Sequence, residues 1–302
     1  MHPRYLILGG SGFLGRSLHA LLGAGDAIAT YKQTPIAGGI HFDASEHSLA
    51  TRILTAYPSL THAFIFMGIT NLDACARDPA GSARINVDAI KEVIAQLRDA
   101  GITPVFASSD AVFDGSRGGW AEEDPVCPVL TYGRQKAAVE AVLLADARPS
   151  LIVRLPKIIA TFPGAHDMLD GWMSALEAGA EIRCAHDQIL SPVDVDEAVR
   201  ALDGLVKSRA SGVFHFAAPQ AVSRLALLEM LVHEVQRYRA IAPRITRCSI
   251  RDFAFAEARP LDGSMSAAKL ELQTGFRFPQ VQRICARAAA RRYAVEQTAA
   301  TA

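Results

Sequence analysis

Short apolar runs recur along the first half of the chain, and stretches with a helical period separate most of them. Residues 5–9 read YLILG, a run without a polar position that ends in glycine, which suits a strand buried on both faces. Residues 14–22 then place Leu14, Leu18, Leu21 and Leu22 on one helical face. AIATY (27–31), GIHF (39–42), AFIFMG (63–68), PVFASS (104–109) and LIVRL (151–155) are the next strand candidates, with helical patterns at 80–97 and 132–144 between them. Such alternation predicts an α/β fold, a doubly wound parallel sheet with helices on both faces.

Beyond residue 155 the pattern changes. A loop with Pro156 and Pro163 leads to a helix near 167–178, and residues 187–202 read as a short strand followed by a helix that Asp194 caps. GVFHFA (212–217) is another strand, and residues 223–235 form a helix with Ser223 at its N-cap position. Segments 266–274 and 280–293 also read as helices. The expected division is a nucleotide-binding unit over 1–160, to which 193–217 returns, and a smaller lobe from 161–192 and 218–302.

Composition narrows the functional classes. The 302 residues are 50% hydrophobic, enough for a large core, and 31 Lys and Arg balance 31 Asp and Glu. That balance argues against a nucleic-acid partner. The five cysteines are scattered without a Cys-x-x-Cys and the nine histidines form no ligand-spaced cluster, so reduced thiols and no metal site are expected. His215 reads as a core or surface residue. No targeting segment or bilayer-spanning run stands out, which points to the cytoplasm and away from membranes. Arg283, Arg287 and Arg291 recur every four residues, as a solvated stripe or, alternatively, an anion or subunit contact.

The sequence GGSGFLG (9–15) follows the first strand and opens the first helix. Gly9 suits the tight turn, Gly12 a close backbone approach to a pyrophosphate, and Gly15 the packing of helix on strand, with the helix N-terminus facing the phosphate charge. The predicted contacts of this loop are Gly9, Ser11, Gly12, Phe13, Leu14 and Gly15. Dinucleotide sites that take NAD commonly carry an acid at the end of the second strand. Here TYKQT (30–34) offers Lys32 and no acid. Lys32 therefore suits a 2′-phosphate, favouring NADP(H) over NAD(H), or else is a solvated loop lysine. Asp43, just after the third strand, is either an acceptor for the adenine amine or a turn aspartate.

On the helix of 132–144, Tyr132 and Lys136 lie one turn apart on one face. An ammonium there favours the phenolate and lowers the tyrosine pKa, as a proton relay to a carbonyl or hydroxyl oxygen needs. Ser109 ends the strand 104–109 at the carboxyl edge of the sheet, as a holder of the same oxygen or as a cap or turn serine.

Taken in order, several segments resemble an extended short-chain dehydrogenase/reductase with a Rossmann-type sheet: GGSGFLG, RINVDAI (84–90), SSDAVFDG (108–115), the stretch 120–140, LSPVDVDEAVRAL (190–202), 211–231 and RPLDGSMSAAKLELQTGFRFP (259–279). SSDAVFDG and the C-terminal end most resemble the dTDP-4-dehydrorhamnose reductase branch, which also contains a regulatory subunit of methionine adenosyltransferase. The resemblance puts a catalytic trio on Ser109, Tyr132 and Lys136, with Lys136 also on the nicotinamide ribose. It puts Asn86 in support of the lysine, Asp110 beside the substrate, and Met67, Gly68 and Thr70 along the cofactor.

The substrate side departs from the family. Ala111 stands where a tyrosine is usual, Lys157 lies in what is usually an aromatic-Val-Tyr-Gly stretch, and Cys75 stands where a glutamate is common. The expected function is an NADPH-dependent reductase of a nucleotide-activated 4-keto-6-deoxy sugar. A second copy of the chain is the candidate partner. The rivals are an epimerase or dehydratase on the same scaffold and a non-catalytic NADP-binding regulatory subunit.

Overall fold

The computed structural model describes the backbone of residues 4–160 and 167–300, with side chains through residue 293. Pro163 therefore lies outside the described residues. The strands β1 (Tyr5–Leu8), β2 (Ala27–Tyr31), β3 (Ile40–His41), β4 (His62–Ile65), β5 (Thr103–Ser109), β6 (Leu151–Leu155) and β11 (Gly212–His215) build one seven-stranded sheet. Its order is β11-β6-β5-β4-β1-β2-β3, and every pairing is parallel. The predicted doubly wound sheet is the one observed. The order reverses around β1, so the loops after β1 and β4 open onto one crevice, where such sheets take ligands.

Alternation along β1 separates two cores. Tyr5 and Ile7 face the layer of helices α1 (Phe13–Leu22) and α7 (Val195–Lys207), while Leu6 and Leu8 face α4 (Ala89–Asp99) and α5 (Thr131–Leu144). Both faces are covered, which is why the strand is apolar throughout. Asp194 caps α7 by accepting from the N–H groups of Asp196 and Glu197, as the sequence predicted.

Between β4 and α4, the chain makes α2 (Leu72–Arg77), α3 (Pro79–Ala83) and a π-helical turn, Arg84–Asp88. The single helix expected over 80–97 is thus widened at one turn. Hydrophobic periodicity carries no signal for such a bulge, which is frequent at functional sites.

A third core lies among α6 (Met168–Glu177), α8 (Arg224–Gln236), α10 (Val281–Ala300) and β8 (Glu181–Ala185), with Trp172, Leu231, Ile284 and Tyr293 inside it. Short pairs complete this side: β7 (Ile158–Ile159) with β10 (Val193–Asp194), β9 (Ile189–Leu190) with β12 (Val222–Ser223), and β8 with β13 (Arg244–Cys248). Residues after α8 do not all stay here. Leu270 of α9 (Ala268–Thr274) and Phe278 join the core beneath α7. Arg287 is no solvated stripe residue: it pairs with Asp194, Asp196 and Glu197 at 3.5, 3.1 and 3.1 Å, tying α10 to the acidic first turn of α7.

Candidate active site

Glycine is required twice in the loop after β1. Gly9 has φ +91°, and a Cβ there would fall 2.8 Å from Met67 N, on the loop after β4. At Gly15 a Cβ would fall 2.3 Å from Gly9 O, so α1 seats directly on the turn. Gly12 differs: it is exposed, it heads α1 without a side-chain cap, and a Cβ would meet nothing nearer than Gly9 O at 3.5 Å. Backbone N–H groups in the first helical turn have no intrahelical acceptor, so this end offers donors to an anion. Ser11, Phe13 and Leu14 lie on the same turn, with Phe13 exposed. Donor-rich backbone beside open space fits the pyrophosphate of a dinucleotide.

Other predicted cofactor residues rim that crevice. Gly9 N donates to Thr30 Oγ1 at 3.2 Å and Gly10 N to Thr30 O at 2.7 Å, which fixes the loop to the end of β2. Two residues on, the half-exposed Lys32 side chain pairs with Asp43 Oδ2 at 2.6 Å. Asp43 also accepts from Ser45 N and Ser45 Oγ, so it is a turn aspartate here. Burial works to raise its carboxyl, but the hydrogen bonds from Lys32 and Ser45 prevail and hold it at about 2. Met67, Gly68 and Thr70 follow β4, with Gly68 and Thr70 exposed towards solvent.

Asn86 is placed by the π-helical turn. Its Oδ1 accepts from Ile69 N at 2.7 Å, and its Nδ2 donates to Ile69 O at 2.9 Å and to Gln135 Oε1 at 2.8 Å. It therefore supports the loop after β4 and the residue beside Lys136, and it makes no hydrogen bond to Lys136 itself. Gln135 passes the contact on to Ser82 Oγ at 2.7 Å.

The first turn of α5 is capped from 126 residues away. The Glu257 carboxylate accepts from Thr131 N at 3.0 and 3.1 Å and from Thr131 Oγ1 at 2.8 Å. Tyr132 follows at once. Next, Gly133 packs so closely that a Cβ would lie on Ala111 O, which brings α5 against the 3₁₀ turn Asp110–Val112. Asp110 thereby comes up beside Tyr132, with Ser109 next to it in the chain. Ser109 Oγ donates to Asp110 Oδ1 at 2.8 Å and accepts from Ala111 N at 3.2 Å, so it caps that turn while sitting at the predicted place.

Electrostatics depart from the expected relay in one respect. The phenol of Tyr132 is buried and is pushed up from its usual pKa, first by burial and then by the charges of Asp110 and Cys75. The Lys136 ammonium does not offset this, because it is aimed at Ala107 O, 2.7 Å away, and lies 5.5 Å from the Tyr132 ring centroid. Burial instead pulls Lys136 itself down to about 8, against Glu140 and Cys75. Tyr132 thus rests protonated, and its hydroxyl has no hydrogen-bond partner among the described residues.

Burial pushes the Asp110 carboxyl from 3.8 up to about 6, against Ser109, the Ala111 N–H and Lys157. A folded value above the unfolded one means that stability falls as pH rises through this window. Asp110→Asn, which keeps an acceptor for Ser109, is expected to raise the melting temperature at pH 8 and to lose that advantage by pH 4. Equal melting temperatures at pH 8 would show that the ionised carboxyl carries no such burden.

The family model described as RmlD substrate binding domain matches residues 3–293. The chain belongs to that family. It is similar to the dTDP-4-keto-6-deoxy-D-glucose reductase of Streptomyces niveus, 30% identical over 221 residues that cover 71% of this chain and 73% of that enzyme. In structure it is similar to a dTDP-4-dehydrorhamnose reductase of Bacillus anthracis in complex with NADP, with a TM-score of 0.84 at 20% identity over 98% of this chain and 100% of that one. MoeE5 in complex with UDP-glucuronic acid and NAD is similar over 96% of this chain and 99% of its own, with a TM-score of 0.81 at 20% identity. At such identity these two likenesses bear on the fold. The branch to which SSDAVFDG pointed is the one to which the RmlD substrate-binding-domain family belongs.

Sequence reasoning missed Glu140, Ser108, Arg154 and Glu257. Glu140 could have been found, since it continues the spacing from Tyr132 and Lys136 by one more turn. Glu257 left no local signal.

Proposed function

We propose that the protein is an NADPH-dependent reductase of a nucleotide-activated keto-sugar, with a 4-keto-6-deoxy sugar as the substrate class. The observation that carries this reading is that Lys136 bonds to Ala107 O near the carboxyl end of β5 while Tyr132 faces Asp110, to which Ser109 is hydrogen-bonded, in a fold that also offers an uncapped, glycine-lined helix N-terminus. The names of similar proteins support a sugar-nucleotide keto-reductase and a nicotinamide cofactor.

Reduced nicotinamide, when bound, supplies the hydride. Ser109 Oγ turns its single proton from Asp110 to the carbonyl oxygen, and the Tyr132 phenol gives its proton to that oxygen as negative charge develops on it. One hydride on carbon and one proton on oxygen complete the alcohol, and the Tyr132 oxygen regains a proton from water. Lys136 holds a cation beneath the phenol as it loses its proton. The cofactor side falls to Gly9, Ser11, Gly12, Phe13, Leu14 and Gly15, with Met67, Gly68 and Thr70 opposite. Asp110 is followed by Ala111 and not by an acid, which leaves the dehydratase alternative without the Asp-Glu pair it needs.

Preference for NADPH rests on Lys32. An ammonium has three donors, so it can keep Asp43 and take a 2′-phosphate oxygen as well. Lys32→Ala is expected to raise the KM for NADPH about tenfold, the worth of a charge-assisted hydrogen bond, and to leave that for NADH nearly unchanged. An equal loss with both cofactors would remove Lys32 from the phosphate. The reading as a whole is tested by cofactor oxidation coupled to a nucleotide-linked keto-sugar, with alcohol formed in equal amount.

A further inference from the structure

The end of β5 is gripped by α5 one residue at a time. Lys136 Nζ donates to Ala107 O at 2.7 Å, and the hydroxyl of Ser108 donates to Glu140 Oε1. Residues 107 and 108 are thus tied to helix positions one turn apart, and Ser109 follows directly. Arg154 holds Glu140 from the other side, with Nε at 3.1 and 3.2 Å from its two oxygens and Nη2 at 2.8 Å. Arg154 lies opposite Ser108 in the β5–β6 register, so the guanidinium and the hydroxyl meet one carboxylate. Ser108, Glu140 and Arg154 are each at most 3% exposed.

From there the contacts run outwards. Arg154 Nη1 lies 3.1 Å from His215 Nε2. Guanidinium only donates, so Nε2 accepts and the other ring nitrogen donates to Trp120 O, 3.2 Å away. Burial and the Arg154 charge hold His215 down to about 3, which keeps the ring neutral in this tautomer. A buried ion pair adds little net stability, because desolvation offsets the attraction. What this one supplies is geometry at the place where Ser109 and Tyr132 must share an oxygen.

We propose that Glu140 is a positioning residue: it holds the last residues of β5 in register with α5 and keeps a fixed negative charge beside Lys136. The inference rests on the reductase reading in that Ser109 and Tyr132 are taken to share a substrate oxygen. The groups facing Lys136 are Tyr132 and Glu140 on its own helix, Cys75 on α2, and the Phe106 ring and Ala107 carbonyl on β5. Asp110 faces Tyr132. Glu140 is thus the carboxylate that favours the ammonium, and its removal lowers the pH at which Lys136 loses its proton.

The test compares wild type with Glu140→Gln and with the double variant Glu140→Met, Arg154→Met, which removes both charges of the ion pair together. Three quantities are measured: melting temperature, steady-state kinetics across pH, and the titration of Lys136 by NMR of nitrogen-labelled lysine, assigned with Lys136→Met. Both variants are expected to lose kcat by about tenfold or more with the KM for NADPH little changed, as a small misplacement near the chemistry does. The alkaline limb of kcat and the Lys136 midpoint should move to lower pH, by about one unit in Glu140→Gln. A fall in melting temperature with kcat and the Lys136 midpoint at wild-type values would overturn the proposal and leave an ordinary structural ion pair. If the wild type reduces no keto-sugar, the reductase reading fails by itself. The Lys136 titration then decides on Glu140: a lowered midpoint supports its hold on the site, and an unmoved one overturns it.

Discussion

Tyr132→Phe should lower kcat by about 10²–10⁴, the usual worth of a positioned general acid, while cofactor affinity and melting temperature stay close to wild type. Only an oxygen is removed. The ring keeps its buried place on α5 and its contact with the Lys136 ammonium, 5.5 Å from the ring centroid. No hydrogen bond among the described residues is lost, so stability has little reason to change. The chemistry has every reason to change. A phenol pushed up by burial carries its proton at neutral pH, which suits reduction, where a carbonyl oxygen becomes an alcohol. Steady-state rates with cofactor titrations on the same preparations check this. Retained turnover would show that the proton comes from elsewhere, with Asp110 the nearest candidate on Ser109.

The next largest effect is expected from Gly15→Ala, through binding instead of chemistry. The added carbon would sit 2.3 Å from Gly9 O and 2.6 Å from Gly10 Cα, both backbone atoms that cannot swing aside. Helix α1 must then lift from the turn and take its first-turn N–H groups with it. Overpacking of this kind costs about 1–3 kcal/mol. If that falls on the bound form, cofactor affinity drops on the order of tenfold or more. Gly25→Ala is the control, since a Cβ there meets nothing within 4 Å. Cofactor affinity measured by fluorescence should fall in the first variant and hold in the second. Unchanged affinity in Gly15→Ala would mean that the loop does not cradle the cofactor.

The parts of this structure that were legible are those set by local pattern. The unbroken apolar run at 5–8 specifies a strand buried on both faces, and the glycines after it specify the turn, because no other residue fits Gly9 or Gly15. Asp194 and Ser223 announced helix starts through side chains that serve neighbouring N–H groups. The parts that escaped depend on contacts distant in sequence. The Glu257 cap on α5 links residues 126 apart, and the π-helical turn that aims Asn86 has no periodic signature. Arg287 looked solvated because its acidic partners on α7 lie about ninety residues earlier.

The same limit explains why the Tyr132 phenol is pushed up where the spacing predicts it lowered. That spacing places Tyr132 and Lys136 on one helix face. Burial and the carbonyl of Ala107 then decide where the ammonium points, and both depend on how β5 packs beneath α5. The departures at Ala111 and Lys157 both adjoin Asp110: Ala111 follows it in the chain and Lys157 acts on its carboxyl.

The most direct test of the central claim is NADPH oxidation by the purified protein across a panel of nucleotide-linked 4-keto-6-deoxy sugars, followed by loss of reduced-nicotinamide absorbance with product analysis. The account predicts turnover with at least one member of the panel, one alcohol formed per cofactor oxidised, and turnover lowered by about 10²–10⁴ in Tyr132→Phe. Tight NADPH binding with no oxidation across the whole panel would contradict it and leave a nucleotide clasp without the reaction.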